Sequence, residues 1–284
     1  MISGQVGVVG AGTMGAGVAQ CLAQSGYAVI VVDPNAEARD RARMMMHDAV
    51  RLAILLGRGA VTAKPAEVME RVQWTDRIGE LSEAGFVIEC VPERIDLKEE
   101  IFTDLDRHCP PDTIFASCTS AIPIARLAAG TTRPAQVLGL HFMNPAPLEE
   151  AVEVVRGPQT SARTMDRALG LLRTMGKEAI VVGDGPGFVL NRVLMLCIAE
   201  AAASLDAGLA DAETTDAVFE KCLGHPMGPL KTADLIGLDN VADTINVLRE
   251  LTGDGRYAVP PSLAALVDAG RLGRKTGQGF HDYR

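Results

Sequence analysis

Three glycines near the start of the chain stand at a spacing that can hold a phosphate group. They form the sequence Gly10-Ala-Gly12-Thr-Met-Gly15. In such a pattern the first glycine permits a tight turn, the second lets the backbone approach a pyrophosphate, and the third lets a helix pack closely on a sheet. A helix that begins here would direct its unpaired N–H groups at the negative charge. We therefore predict a dinucleotide-binding turn made of Gly10, Gly12, Thr13, Met14 and Gly15.

An acidic residue, Asp33, extends this pattern. It follows the apolar stretch Tyr27–Val32 and lies 21 residues beyond Gly12, where a carboxylate accepts hydrogen bonds from the adenosine ribose. A carboxylate there repels a 2′-phosphate, and Pro34 and Asn35 follow it instead of an arginine, so NAD is favoured over NADP. The alternative is a fold of the same type that binds no dinucleotide, because a glycine turn alone is a weak signal.

Polar residues later in the chain follow other predicted strands. Ser120 comes after the stretch Thr113–Ser117, and His141 ends the stretch Val137–His141. In a doubly wound sheet the carboxyl ends of the strands face the ligand crevice, so both side chains are placed for chemistry. Imidazole titrates near neutral pH and is a common general base. Alternatively, the serine caps the next helix and the histidine is a structural residue of a turn.

The elements that must position these residues alternate along most of the chain. The predicted strands are Val6–Val9, Tyr27–Val32, Val72–Thr75, Phe86–Val91, Thr113–Ser117, Val137–His141, Val152–Val155 and Ala179–Val182. The predicted helices between them include Ala36–Leu56, Leu97–Arg107, Ile122–Ala128 and Thr160–Met175. This alternation indicates an α/β fold with a doubly wound, Rossmann-like sheet.

The pattern changes at the glycine-rich segment Gly183–Gly187. Beyond it the chain is predicted to be helical, through Phe188–Ala207, Asp211–Leu223 and then shorter helices. We place a domain boundary near residue 185. The expected organisation is a Rossmann-like NAD-binding domain over residues 1–185 and an all-α C-terminal domain over residues 186–284.

The bulk composition restricts the class of protein. The 284 residues carry a formal net charge of −9, which argues against nucleic acid or an anionic membrane as the main partner. The apolar runs before Asp33 are interrupted by Gly and Gln, so neither a signal peptide nor a membrane span is expected. The six cysteines form no CxxC pair, and we expect reduced thiols, no metal site and a cytoplasmic protein.

Several segments match the motifs of one enzyme family in order and spacing. They are Gly10–Gly15, Glu89–Glu93 leading to Lys98, Thr119–Ser120, His141–Pro145, Pro186–Arg192, His225–Pro229 and Gly273–Phe280. Over essentially its whole length the chain resembles the 3-hydroxyacyl-CoA dehydrogenase family, including the bacterial 3-hydroxybutyryl-CoA dehydrogenases. The resemblance implies NAD-dependent oxidation of a 3-hydroxyacyl thioester, such as 3-hydroxybutyryl-CoA, to the 3-oxoacyl thioester in fatty acid metabolism.

The resemblance also implies roles for individual residues. His141 would be the general base that takes the hydroxyl proton, and Glu153 would bond its other ring nitrogen and fix the tautomer. Ser120 and Asn191 would bind substrate oxygens and position the carbon for hydride transfer. Further contacts to NAD would come from Ser120, Glu93, Lys98, Asn144 and Lys275.

Some of these implied roles have alternatives. Glu93 and Lys98 would otherwise be a solvated ion pair. The C-terminal domain would bind substrate and join two chains into a homodimer, although its apolar stretch Val189–Ala203 would also suit a core within one chain.

β-Hydroxyacid dehydrogenases share the fold but use a catalytic lysine in the linking helix, where this chain has Asn191 and Arg192. From another class, a non-catalytic, crystallin-like NAD-binding protein would need no catalytic histidine.

Departures from the family pattern bear on the substrate. Cys118 and Ala121 flank the Thr119–Ser120 pair where the family usually has Asn and Ser. The segment Leu148–Ala151 contains two glutamates where the family has a lysine.

The second helix offers few cations for the phosphates of CoA. Arg51 and Arg58 are the main candidates, with Lys64 further along. Either arginine replaces the family's lysines, or the acyl group arrives on the phosphopantetheine arm of a carrier protein, as in the oxidation of a glyceryl thioester for polyketide extender units.

Overall fold

The computed structural model describes residues 4–55 and 64–284, with the side chains of residues 52–55 left out. The chain divides into two compact units, one up to Gly185 and the other from Pro186. Each unit has its own secondary structure type, because strands alternate with helices in the first and helices alone follow one another in the second.

A sheet of eight strands, in the order β3-β2-β1-β4-β5-β6-β7-β8, organises the first unit. Its strands are β1 (Gln5–Val9), β2 (Val29–Val32), β3 (Val72–Thr75), β4 (Ala84–Glu89), β5 (Ile114–Ser117), β6 (Val137–Phe142), β7 (Ala151–Arg156) and β8 (Glu178–Gly183). The predicted doubly wound α/β fold is confirmed. The predicted and observed strand bounds agree to within two residues. The largest differences are at β2, which begins at Val29, and at β4, which runs from Ala84 to Glu89 and leaves Cys90 and Val91 beyond the strand.

Helices cover this sheet. They are α1 (Thr13–Gln24), α2 (Ala36–Leu55), α3 (Pro65–Glu70), α4 (Ile95–His108), α5 (Ile124–Ala129) and α6 (Ala162–Thr174). The predicted end of the second helix at Leu56 lies outside the described residues. The short helix α3 and the 3-10 segment Ile78–Glu83 were not predicted. Central strand residues such as Val8, Phe86 and Ala116 are completely buried, because helices shield both faces of a parallel sheet.

The direction of the sheet reverses between β6 and β7. These two strands pair antiparallel, whereas β8 pairs parallel with β7. The segment between them, residues 143–150, is short enough to turn back beside β6, while a parallel return needs a long crossover. This reversal was not predicted, and it decides which residues of β6 and β7 face each other.

The second unit consists of α7 (Leu190–Asp206), α8 (Ala212–Leu223), α9 (Pro229–Ile236), α10 (Leu238–Thr252) and α11 (Pro261–Asp268). Its predicted helical character is confirmed, although α10 has 15 residues and is not short.

Two buried aspartates fasten the end of the chain to the helices of this unit. Asp216 accepts hydrogen bonds from the N–H groups of Leu230 at 2.8 Å and Lys231 at 2.9 Å, and its Oδ2 lies 2.7 Å from His281 Nε2. Asp234 accepts from the N–H of His281 at 2.9 Å and from the Tyr283 hydroxyl at 3.0 Å. The contacts made by the terminal segment are therefore structural.

Two further findings concern the described residues as a set. None of their helices is long and apolar enough to cross a membrane, and no group of three His, Cys, Asp or Glu side chains among them is placed to hold a metal ion. Cytoplasmic localisation stays a prediction.

Candidate active site

His141 and Glu153 form a buried pair. They lie opposite each other on β6 and β7, and antiparallel pairing puts opposite side chains on the same face of a sheet. His141 Nδ1 and Glu153 Oε2 are 2.8 Å apart, and the residues are 5% and 8% exposed. A carboxylate at Nδ1 favours the tautomer with its proton there, which puts a lone pair on Nε2. The pair can therefore take up a proton at Nε2 and hold the resulting positive charge beside a carboxylate.

Glu93 shapes the turn that carries Ser120. Its Oε1 atom accepts hydrogen bonds from the backbone N–H groups of Ser120 and Ala121, both at 2.9 Å, and from the Thr119 hydroxyl. The Thr119 oxygen also accepts from the N–H of Ile122 at 2.9 Å. One carboxylate thus binds three successive residues of the turn and fixes the backbone of Ser120, whose side chain is half-buried.

The helix after this turn is capped from a distant part of the chain. The N–H groups of Ile124 and Ala125, at the start of α5, bond the carboxylate of Asp184 at 2.8 and 2.7 Å. The carboxylate of Asp184 therefore caps α5, while the role of Ser120 stays a prediction. Asp184 belongs to the glycine-rich segment that marked the domain boundary, and its capping role was not predicted.

Behind Glu93 lies the buried ammonium group of Lys98. Its Nζ atom is 2.7 Å from Glu89 Oε1, 3.1 Å from the Val91 carbonyl oxygen and 3.4 Å from Glu93 Oε2. Burial works to lower the pKa of Lys98, but the two carboxylates outweigh it and hold the pKa above its ordinary value. The interpretation as a solvated pair is wrong, because Lys98 is only 1% exposed.

Glu89 and Ser117 complete this network, and neither was predicted as a site residue. They are register partners at the carboxyl ends of β4 and β5, and both are completely buried. The Ser117 hydroxyl donates to Glu89 Oε2 at 2.5 Å. The sequence signal that could have identified them is the polar residue at the end of each apolar strand.

The glycine turn fits a dinucleotide pyrophosphate. Gly10 has a φ of +102°, and a Cβ atom there would lie 2.8 Å from the Cys90 carbonyl oxygen. A Cβ on Gly15 would lie 1.9 Å from the Gly10 carbonyl oxygen. Gly12 differs, since beyond its two chain neighbours no heavy atom of the described residues lies within 4 Å of an added Cβ. Thr13 and Met14 open helix α1 beside this space, so room for a phosphate coincides with a helix N-terminus.

Asp33 is held against the same turn. Its Oδ2 atom accepts a hydrogen bond from the N–H of Ala11 at 2.8 Å, and its Oδ1 atom accepts from the N–H of Asn35 at 2.9 Å. The guanidinium group of Arg39 donates to the Asp33 carbonyl oxygen. Each carboxylate oxygen has a second lone pair, so the fixed side chain can also accept from a ribose hydroxyl.

Other predicted residues of the first unit lie at its surface. Asn144 is exposed just beyond β6, and Arg51 is exposed on α2. Arg58 lies outside the described residues. The roles assigned to these three residues stay predictions.

Two predicted residues belong to the second unit. Asn191 is the second residue of α7 and is 9% exposed. Lys275 Nζ lies 2.6 Å from Asp239 Oδ1, so its ammonium group already has a carboxylate partner. Their roles toward substrate and NAD also stay predictions.

Comparisons with known proteins match both units. The family profile described as "3-hydroxyacyl-CoA dehydrogenase, NAD binding domain" matches residues 5–185. The profile described as "3-hydroxyacyl-CoA dehydrogenase, C-terminal domain" matches residues 187–283.

Individual relatives match over nearly their full length. A probable 3-hydroxybutyryl-CoA dehydrogenase of Bacillus subtilis is 43% identical, with 98% of this chain and 97% of the relative covered. A protein of the same description from Deinococcus radiodurans is 41% identical, with coverage of 98% and 99%. The crystal structure of (S)-3-hydroxybutyryl-CoA dehydrogenase from Ralstonia eutropha superposes with a TM-score of 0.91 at 37% identity and covers 100% of both chains. The chain therefore belongs to the 3-hydroxyacyl-CoA dehydrogenase family and is an NAD-dependent oxidoreductase.

Proposed function

We propose that this enzyme oxidises the 3-hydroxyl group of a short 3-hydroxyacyl-CoA, with 3-hydroxybutyryl-CoA as the representative substrate, and that His141 is the general base. The observation that carries the proposal is the buried His141–Glu153 pair, with 2.8 Å between Nδ1 and Oε2. Imidazole with a carboxylate at one nitrogen is suited to take a proton at the other.

The reaction moves a proton and a hydride from one carbon centre. NAD, when bound, supplies the hydride acceptor. The His141 Nε2 atom takes the hydroxyl proton, and the carbonyl bond forms as the carbon–hydrogen bond breaks. The Glu153 carboxylate stabilises the imidazolium that results. Release of the proton to solvent returns His141 to its starting state, so the products are the 3-oxoacyl thioester, NADH and a proton.

Binding groups must hold the reacting carbon in place during this step, because misplacement by about 1 Å can lower the rate about 100-fold. We assign this role to the hydroxyl of Ser120 and the amide of Asn191, which would donate hydrogen bonds to substrate oxygens. Glu93 supports it indirectly, since its carboxylate binds the N–H of Ser120 at 2.9 Å. We treat Lys98 as a positioning residue, because its ammonium group is buried against Glu89 and Glu93.

The names of the relatives favour CoA as the carrier of the acyl group. Their descriptions specify 3-hydroxybutyryl-CoA, and Arg51 is exposed on α2, where it could contact a phosphate. A carrier-protein thioester, glyceryl or hydroxybutyryl, is the second candidate, because Cys118 and two glutamates replace residues of the family pattern.

A direct comparison of substrates tests the proposal. NADH formation at 340 nm is followed with (S)-3-hydroxybutyryl-CoA and with the same acyl group on a carrier protein. We expect kcat/KM for the CoA thioester to exceed that for the carrier thioester by about tenfold or more, the discrimination that one or two lost charge contacts give. A preference for the carrier thioester would overturn the choice of CoA, and inactivity with both would overturn the proposed reaction.

The second unit is also proposed to form a homodimer. Large apolar side chains are exposed on its helices: Val193 62%, Val218 50%, Leu223 64% and Leu235 54%. An interface between two copies of the chain would bury such side chains. Analytical ultracentrifugation at micromolar concentration should give twice the mass of the chain, and a monomer mass would contradict this proposal.

A further inference from the structure

Two thiols lie close together at the carboxyl ends of adjacent strands. Cys90 and Cys118 immediately follow Glu89 and Ser117, which are register partners on β4 and β5. Their sulfur atoms are 3.4 Å apart. The backbone at both positions is still bonded to the sheet. The Cys90 N–H donates to the Val9 carbonyl oxygen at 2.7 Å, and the Cys118 N–H donates to the Glu89 carbonyl oxygen at 2.8 Å.

This geometry suits a covalent bond between the sulfur atoms. Neighbouring strands lie about 4.8 Å apart, within the range of about 4.4–6.8 Å that separates the Cα atoms of a disulfide. Closing the bond needs the sulfur atoms to approach from 3.4 Å to about 2.05 Å. Rotation of two side chains and a small backbone shift can supply that movement.

We propose that Cys90 and Cys118 form a redox-active dithiol that peroxide oxidises to an intramolecular disulfide, and that this disulfide weakens binding of the dinucleotide. Both side chains are half-buried, whereas Cys21 and Cys109 are buried. Disulfides of reduced compartments are usually of this transient, redox-sensing kind.

The oxidation balances with hydrogen peroxide as the oxidant. One thiolate attacks a peroxide oxygen, the O–O bond breaks, and a sulfenic acid and hydroxide form, with hydroxide taking up the proton as water. The second sulfur then attacks the sulfenic sulfur and expels the hydroxyl group as a second water molecule. The two thiols lose two protons and two electrons in total, and peroxide is reduced to two waters. The contact with Cys90 and burial raise the pKa of Cys118.

Cys90 packs closely against the glycine turn that would hold the cofactor. The Cys90 carbonyl oxygen would lie 2.8 Å from a Cβ added to Gly10, and the Cys90 Cβ would lie 3.5 Å from a Cβ added to Gly15. There is thus little free space between Cys90 and the glycine turn. Cys118 directly precedes Thr119 and Ser120, whose backbone Glu93 binds. The small backbone shift that closes the disulfide would therefore displace one or both of these loops.

The experiment uses the full chain, first reduced and then treated with hydrogen peroxide without excess thiol. Intact mass should fall by two hydrogen atoms, and peptide mapping without reduction should join Cys90 to Cys118. The dissociation constant for NADH, followed by its fluorescence, should rise by about tenfold or more, which corresponds to about 1.4 kcal/mol of lost binding free energy. Dithiothreitol should restore both measurements.

Two variants complete the test. Cys118→Ser should fold, keep the NADH affinity of the reduced protein and lose the response to peroxide. Cys222→Ser, which removes an exposed thiol of the second unit, should respond as the unaltered chain does. A map that shows sulfinic acid or a disulfide with another cysteine would overturn the proposal. So would a cross-linked protein that binds NADH as tightly as the reduced protein.

Discussion

Glu153 lies directly opposite His141 in the β6–β7 ladder, with 2.8 Å between Glu153 Oε2 and His141 Nδ1. Backbone pairing therefore sets the position of the carboxylate relative to the imidazole. The proposed base and its partner are held on rigid strands, where side chains are positioned more precisely than on loops.

Replacing Glu153 by glutamine should lower kcat by about 100- to 10,000-fold, because a neutral amide stabilises an imidazolium poorly and can select the wrong tautomer. The measurement is NADH formation with (S)-3-hydroxybutyryl-CoA at saturating substrate. Glu149→Gln is the matched control, since Glu149 is exposed between the same two strands. Equal kcat values for the two variants would contradict the orienting role of Glu153.

Replacing Asp33 by serine should shift the cofactor preference toward NADP. The change removes a carboxylate but leaves nearby donors, the N–H groups of Ala11 and Asn35 and the guanidinium of Arg39. We expect kcat/KM to fall about tenfold with NAD and to rise about tenfold with NADP. Each tenfold change corresponds to about 1.4 kcal/mol of interaction free energy.

Two further variants check this explanation. Adding Arg39→Ala to Asp33→Ser should remove the gain with NADP, because the cation that would bind the 2′-phosphate is lost. Asp40→Ser removes an exposed carboxylate of α2 and should change neither cofactor's kcat/KM. An NADP gain that survives without Arg39 would count against its role.

Replacing Lys98 by methionine should destabilise the first unit by about 3–5 kcal/mol, because two carboxylates lose a buried partner. Urea unfolding followed by the fluorescence of Trp74, the single tryptophan and a residue of β3, reports on this unit. The control is Arg126→Met. That arginine pairs with Glu99 at 2.8 Å but is 46% exposed, so the loss should be at most about 1 kcal/mol. Similar losses for the two variants would contradict the importance of burial.

Replacing Gly279 by alanine should destabilise the second unit by about 2 kcal/mol or more, because a Cβ there overpacks the site. It would lie 1.9 Å from Asp234 Oδ1, and Asp234 also binds the Tyr283 hydroxyl. Thermal unfolding followed by circular dichroism measures the effect. Gly255→Ala is the control, since beyond its two chain neighbours no heavy atom of the described residues lies within 4 Å of a Cβ at Gly255. Equal stability of both variants would rule out this packing constraint.

The order of strands and helices could be predicted because continuous apolar runs and amphipathic runs report burial and period directly. The direction of each strand could not be predicted in this way. The stretch Val152–Val155 has the pattern of a strand whether it pairs parallel or antiparallel with β6. The direction of that pairing depends on the length and packing of residues 143–150. The sequence therefore indicated His141 and Glu153 as a pair through the family resemblance, and the register explains the contact.

The burial of Lys98 also could not be predicted from the local sequence pattern. Lysine is almost never fully buried unless it is paired, and its partner Glu89 lies at the end of another element, nine residues earlier in the chain. Likewise Cys90 and Cys118 are 28 residues apart and become neighbours through the adjacency of β4 and β5. Such contacts depend on strand order, which hydrophobic periodicity does not report.

The most direct test of the account is the kcat of NADH formation from (S)-3-hydroxybutyryl-CoA by His141→Ala, with His47→Ala as the control. His47 also pairs with an acidic residue, at 3.1 Å from Asp48, but is exposed on α2. We predict that His141→Ala lowers kcat by about 100- to 10,000-fold, as expected for loss of a general base, while NADH binding and the His47→Ala rate stay unchanged. A His141→Ala enzyme with the kcat of the unaltered protein would contradict the account.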